Sequence, residues 1–313
     1  MAFTTINKSS DYFEPEIYTG NGSSKTISTL NFQPDWVWIK NRATSDMNVL
    51  FDSLRGATKR IASDSTAAEA TEAQDLTAFN TNGFTVGTSG AVNTNNVSYA
   101  SWNWKANGQG SSNTAGSINT TYTSANTTSG CSIITYTGNS TSGATIGHGL
   151  GVAPKVVIVK ALNSASYDWG VYHASLGNTK NMRLNLTDAV ATSTAFWNDT
   201  TPSSSLVYLG NNGTVNADSI NYVAYCFADV QGFSKMGSYI GNGSSSGTFC
   251  YTGMKPAFIL LKNSENGARN WQIYDSKRIG YNVANYRIAT NLPQTEETNV
   301  NIDILSNGFK ARS

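Results

Sequence analysis

The stretch YTGNGSS (residues 18–24) returns as YTGNSTSG (136–143) and again as YIGNGSSSG (239–247). Reading outward from it decides the fold. A proline follows the turn tyrosine each time, at Pro34, Pro154 and Pro256, and a lysine stands six residues later, at Lys40, Lys160 and Lys262. Between proline and lysine run DWVWIK, KVVIVK and AFILLK, each β-branched or aromatic. Next come VLFDS, GVYHAS and QIYDS, which place Asp52, His173 and Asp275 at matching positions. NGFTVGT, SLVYLGN and NGFKARS follow, and SYASWNWKA (98–106) finds a partner in NYVAYCFAD (221–229). Anchors in one order at nearly constant spacing predict a module used three times. A period above about a hundred residues means whole domains in tandem, since solenoid and propeller repeats run about 20–50 residues.

Within a module the apolar runs are short and bounded by Asn-Gly, Ser-Gly and Gly-Asn pairs, which predicts strands and turns. WVWI, VVIV and FILL are apolar on both faces, as in central strands covered from two sides. In SYASWNWKA, Trp102 and Trp104 share a face and Tyr99 is out of phase with them. Helical periodicity is weak and confined to STAAEATEAQDL (65–76), where a short helix or turn is expected. The expectation is an all-β chain of three tandem β-sandwich modules, 1–107, 108–230 and 231–313. Residues 107–130 have linker composition and should end in an outer strand of module two. VQGFSKMGS leaves little linker before module three, which predicts close packing of modules two and three.

Composition narrows the function. Charged residues are 13% of 313, with 21 Lys+Arg against 20 Asp+Glu. That balance argues against nucleic-acid binding, which needs a basic surface. Aromatic residues at 11% exclude disorder. No run approaches the roughly 20 apolar residues of a membrane span. MAFTTINKSSDYF has neither a basic nor an apolar leader region, so no secretory signal is read there. Cys131, Cys226 and Cys250 are odd in number and irregular in spacing, and are expected as free thiols. A Ser/Thr/Asn/Gly-rich β protein without an export signal fits a virion component, assembled in a host cytoplasm and released by lysis.

The anchors together, from YTGNGSSKTI and FQPDWVWIKNR through GATIGHGLGVAPKVVIVK to FSKMGSYIGNGSSSGTF, resemble a domain family of uncharacterised function in tailed bacteriophages. It is common in tail fibres and virion structural proteins of marine and cyanobacterial phages, and the resemblance spans nearly the whole chain. It implies lectin-like, jelly-roll-type sandwiches and a virion location, and it brings no catalytic residue or cofactor. Implied partners are other virion proteins and a host-surface glycan, with trimerisation by analogy with fibres. The expectation is a non-enzymatic tail fibre or tail-associated protein, a spacer and glycan adhesin. The alternatives are a head-decoration or head-fibre protein, and a polysaccharide depolymerase on the same scaffold.

The chemistry-bearing residues are sparse. His148, in IGHGLG, is read as structural, and His173 as a polar strand end. No zinc site is expected, because nothing stands at ligand spacing from either. Asp52 with Arg55, and Asp275 with Arg278, recur three residues apart. Such a pair could grip a sugar hydroxyl, or order a turn as an ion pair, the reading preferred. Glu69, Glu72, Glu296 and Glu297 lie in polar stretches and are expected to be exposed. GNGSSSG lacks the lysine of a phosphate loop and is read as a hairpin turn. Trp36, Trp38, Trp102 and Trp104 are expected in the core before any role in sugar stacking. Module three reaches NGFKARS without an aromatic closing strand, where the family usually has one like YIYMAFAE. An open edge is therefore expected beside 304–311, closed by continuation past Ser313 or by a neighbouring subunit.

Overall fold

The computed structural model describes residues 4–278, 282–298 and 302–312, which form an all-β protein of several antiparallel sheets. The first nine strands are β1 (Phe13–Thr19), β2 (Lys25–Ile27), β3 (Trp36–Asn41), β4 (Asn48–Asp52), β5 (Lys59–Ala62), β6 (Ala70–Thr71), β7 (Leu76–Asn80), β8 (Gly83–Val86) and β9 (Ser98–Trp104). They make a long sheet, β1-β9-β3-β4-β5-β6, and a short one, β2-β8-β7. The next nine are β10 (Tyr122–Asn126), β11 (Cys131–Thr137), β12 (Ala144–Gly147), β13 (Val156–Ala161), β14 (Gly170–His173), β15 (Lys180–Arg183), β16 (Ala191–Thr192), β17 (Leu206–Leu209) and β18 (Asn221–Phe227). Their long sheet runs β10-β11-β18-β13-β14-β15-β16, beside the pair β12-β17. The last six are β19 (Phe249–Tyr251), β20 (Phe258–Leu261), β21 (Gln272–Asp275), β22 (Ile288–Ala289), β23 (Ile302–Leu305) and β24 (Gly308–Ala311), in sheets β20-β21-β22 and β19-β24-β23.

Strand order and register coincide wherever the three systems have counterpart strands. Trp36 lies opposite Asp52, Val156 opposite His173 and Phe258 opposite Asp275. Trp36 is also opposite Trp104, and Val156 opposite Phe227, so Trp102 and Tyr225 occupy the same station. The two-faced apolar runs have a direct cause. In β3, Val37 and Ile39 face the short sheet with Phe84 and Val86, while Trp36 and Trp38 face the other way. β13 divides alike: Val157 and Val159 point into one cluster, Ile158 into the other. Alternation along a strand sends neighbours to opposite faces, so a strand between two cores must be apolar throughout.

The second faces of the two long sheets and of β20-β21-β22 meet in one core. Trp36, Trp38, Trp102, Ile133, Ile158, Trp169, Tyr225, Trp271 and Ile273 belong to a single buried cluster drawn from every part of the chain. The polar groups around it close a ring. The backbone N–H of Glu69 donates to Leu162 O (2.7 Å), that of Val190 to Ser264 O (2.7 Å) and that of Glu296 to Arg42 O (3.0 Å). A second ring runs deeper. Asn48 Nδ2 donates to Ala289 O (3.1 Å), Trp169 Nε1 to Ala62 O (3.0 Å) and Trp271 Nε1 to Arg183 O (2.9 Å). These donors sit at one register position, as do the acceptors, so each system grips the next in cyclic order. Buried donors must find acceptors, and here those acceptors belong to a neighbour.

Several expectations change. Residues 65–69 form no helix; the chain runs extended to β6 and turns at 73–74, because Glu69 is tied to the second system. The helices are single turns at α1 (Gly90–Asn93), α2 (Thr194–Trp197) and α3 (Gly213–Asn216), each capped by a Ser or Asn side chain. The glycine-rich turn GNGSSSG (241–247) is not a hairpin, since β19 after it pairs, among the described residues, only with β24, and in the first copy likewise β1 pairs with β9 and β2 with β8. Residues 107–121 are no free linker, since Gln109 Nε2 donates to Leu54 O and Ser53 Oγ to Gly108 O. β10 does follow as an outer strand on β11. Cys131, Cys226 and Cys250 are free. Cys226 lies opposite Ser132, next to Cys131, so the two thiols point to opposite faces of adjacent strands.

Candidate functional site

Asp52, Arg55, Asp275 and Arg278 are buried where sheet systems meet, so a glycan cannot reach them. They build two copies of one cross-link. Asp52 Oδ2 accepts from Arg55 Nε (2.5 Å) and from Tyr225 OH of the second system (2.7 Å). Asp275 Oδ2 accepts from Arg278 Nε (2.6 Å) and from Trp102 Nε1 of the first (2.9 Å). Each arginine reaches a second carboxylate, Arg55 to Glu69 (3.1 Å) and Arg278 to Glu296 (3.0 Å). Burial opposes the charge on Arg55, yet Asp52, Tyr225 and Glu69 outweigh it and hold the guanidinium above its ordinary range. The expected turn-ordering role is present as well, since Asp52 Oδ1 accepts the Arg55 N–H (3.0 Å). Glu296 is not exposed as expected: it bridges Arg42 (2.7 Å) and Arg278, and its side chain is 8% accessible.

The recurring lysines are structural. Lys160 Nζ donates to Thr66 O (2.9 Å) and Lys262 Nζ to Thr187 O (2.6 Å), each reaching into the preceding system, while Lys40 Nζ donates to Asp46 O (2.7 Å). Burial pushes Lys40 and Lys160 down to about 8. His148 is buried between Ser203 O and the Leu150 N–H, as a structural histidine should be. Trp36, Trp38 and Trp102 are core residues, with Trp36 stacked on Tyr225 at 4.3 Å. The sequence reading missed Asn48, Trp169 and Trp271, because the first copy has asparagine where the other two have tryptophan. Their nearly equal distance after the lysine, eight, nine and nine residues, was the available signal.

Accessible features lie elsewhere. An open cleft of about 500 Å³ is lined by Asn107, Ser111, Ser112, Asn113, Thr123 and neighbours, all uncharged. Part of its polar capacity is used internally, as where Ser112 Oγ donates to Thr120 O (2.7 Å). The exposed large apolar side chains, by contrast, concentrate in the third system. Tyr239, Ile240, Phe249, Tyr251 and Val283 are there, against Tyr122 and Val152 elsewhere among the described residues. β3 and β13 are each flanked by β9 or β18, whereas no described strand pairs with the corresponding side of β20. The open edge thus lies beside β20, not beside 304–311, where β24 is sandwiched between β19 and β23.

Compared with known proteins, residues 8–313 match the model of a family described as a domain of unknown function, DUF7483. The chain belongs to that family. No curated protein and no solved structure matches it. For this DUF7483 protein, the edge of β20, unpaired among the described residues, is the candidate interaction site. Backbone groups on a free edge pair readily with an incoming strand.

Proposed function

We propose that this chain is a non-enzymatic structural protein of a tailed-bacteriophage virion, a tail fibre or tail-associated component. It serves as a rigid spacer among other virion proteins. One observation carries the reading: the recurring Asp, Arg, Lys, Trp and Tyr side chains are consumed in internal contacts, most of them cross-links between sheet systems. Such cross-links stiffen a body and leave those groups no reach toward a substrate. We further read the three systems as copies of one lectin-like module bounded near 107 and 230, assembling as a trimer of chains. A host glycan would meet the uncharged amide and hydroxyl cleft around Asn113, not the buried Asp–Arg pairs. Gold-labelled antibody against the chain should decorate tails in virions from a lysate in which it is expressed. Label on capsids would favour head decoration, and label absent from particles would overturn the virion reading. Release of reducing ends from host polysaccharide would overturn the non-enzymatic one.

A further inference from the structure

The segment that lines the open cleft is an extension that the third system lacks. Tyr136 follows Trp104 by 32 residues, whereas Tyr239 follows the matching Phe227 by 12. The surplus forms the stretch 107–121 and β10. It adds little to the core, since Ile118 is the one buried apolar side chain of residues 107–121.

The extension is nonetheless fixed in place. Ser111 and Thr123 exchange backbone hydrogen bonds (3.3 and 2.7 Å), the Thr120 N–H donates to Asn113 O (3.0 Å), and the Ile118 N–H donates to Thr145 O (2.9 Å). A Cβ on Gly110 would lie 2.2 Å from Thr123 O, and one on Gly116 would lie 2.3 Å from Thr145 O, so the main chain rests directly on β10 and β12. A Cβ on Gly147 would in turn lie 2.2 Å from Asn113 Oδ1. Ordering a polar segment costs chain entropy that apolar burial does not offset here. Surface loops held in this way are where binding residues concentrate.

What the segment displays is uniform. No Asp, Glu, Lys or Arg occurs between Lys105 and Lys155. The side chains of Asn107, Ser111 and Thr114 line the cleft, are exposed, and make no hydrogen bond to another described residue. Asn113 is half-buried among them, its orientation set by the Ala115 N–H, which donates to Oδ1 (2.9 Å).

The lining selects a ligand class. An ion entering the cleft would lose water and gain no counter-charge. A nucleobase would find no ring to stack on, because Tyr122 alternates with Thr123 and turns to the other face of β10. A peptide strand cannot pair with Thr123, whose two backbone groups are already taken by Ser111. Amides and hydroxyls that both donate and accept match the neighbouring hydroxyls of a sugar. The volume of about 500 Å³ lies within the roughly 300–1,000 Å³ of small-molecule sites.

We propose that this cleft binds an uncharged saccharide through Asn107, Ser111, Asn113 and Thr114, and discriminates against sulfated or carboxylated glycans. The inference rests on the reading that a glycan meets this cleft, and it holds wherever the chain resides. With no stacking ring the affinity of a single cleft is low, so the assay must read weak binding.

The test is saturation-transfer difference NMR on the full chain, with neutral oligosaccharides of glucose, mannose, galactose and N-acetylglucosamine, each paired with its sulfated form. At least one neutral probe should receive transfer, and its sulfated partner should bind more weakly. S111A should weaken binding of that probe about fivefold, the scale of one lost hydrogen bond. The triple variant N107A/S111A/T114A should abolish binding. A115W, which fills the cleft without removing a polar side chain, should abolish it too. All three should melt as the parent does, because the substituted side chains are exposed. The proposal is overturned if no neutral probe binds, if a sulfated probe binds as tightly as its neutral partner, or if either A115W or the triple variant still binds. Such a failure alongside antibody label on particles leaves the virion reading standing, and saccharide binding by a chain absent from particles does the reverse.

Discussion

Replacing Asp52 by alanine should expose how strongly the first and second sheet systems are locked. Asp52 Oδ2 accepts from Arg55 Nε and Tyr225 OH, and the Arg55 side chain is 3% accessible. Removing one partner of a buried ion pair costs about 3–5 kcal/mol, and orphaning a buried hydroxyl costs about 1–3 kcal/mol more. Arg55 keeps Glu69 at 3.1 Å and the carbonyls of Lys59 (3.0 Å) and Leu50 (3.3 Å), which pulls the sum toward its lower end. The expected loss is about 4 kcal/mol. At roughly 2.1 cal/mol/K of unfolding entropy per residue, that lowers Tm by about 6 °C in a chain of this length. The second system supplies the control, because it fills the same three positions with His173, Leu176 and Val190. The triple variant D52H/R55L/E69V should stay within about 2 kcal/mol of the parent, since apolar replacement of a whole buried ion cluster is far milder than breaking it. Urea unfolding followed by tryptophan fluorescence measures both. The cross-link argument fails if D52A costs under about 1 kcal/mol, or if the triple variant is as damaged as the single one.

Three further outcomes are expected. Gly138→Ala should cost about 1–3 kcal/mol by overpacking against Ala217 O, whereas Gly241→Ala should change the urea midpoint negligibly. Lys40 and Lys160 should add stability as pH rises between about 8 and 10. Burial sets Lys40 and Lys160 down to about 8, so the unfolded chain, titrating near 10.4, binds more protons over that window. Burial holds the Cys131 and Cys226 thiols protonated and opposes this gain over the same window, so the change in urea midpoint from pH 7.5 to pH 9.5 should be more negative in Lys40→Met/Lys160→Met than in the parent. Thiol titration of the native chain should label Cys250 ahead of Cys131 and Cys226, whose burial raises them far above the usual thiol range. Equal labelling of all three in the folded protein would contradict the packing of β11 and β18.

Much of the fold was legible because its signals are local. Two-faced apolar runs could only be strands covered on both sides, and the spacing of Pro34, Lys40 and Asp52 recurs as a fixed register because strand pairing turns sequence offset into position. The candidate site was much less legible. Asp52–Arg55 reads locally as a surface pair, and only its partner 173 residues away, Tyr225, shows it to be an interior cross-link. Glu69 and Glu296 look exposed in their polar stretches, yet each is drawn inward by an arginine placed there by the neighbouring strands.

By itself, then, the sequence determined the all-β class, the strand runs and the free thiols. Each follows from residue type and period along a few neighbouring positions. Only the tertiary structure decided that the long sheets share one core, that they grip one another in cyclic order, and that the unpaired edge lies beside β20. Those depend on which distant strands meet. A face left apolar by alternation must be covered, but the alternation does not say by what.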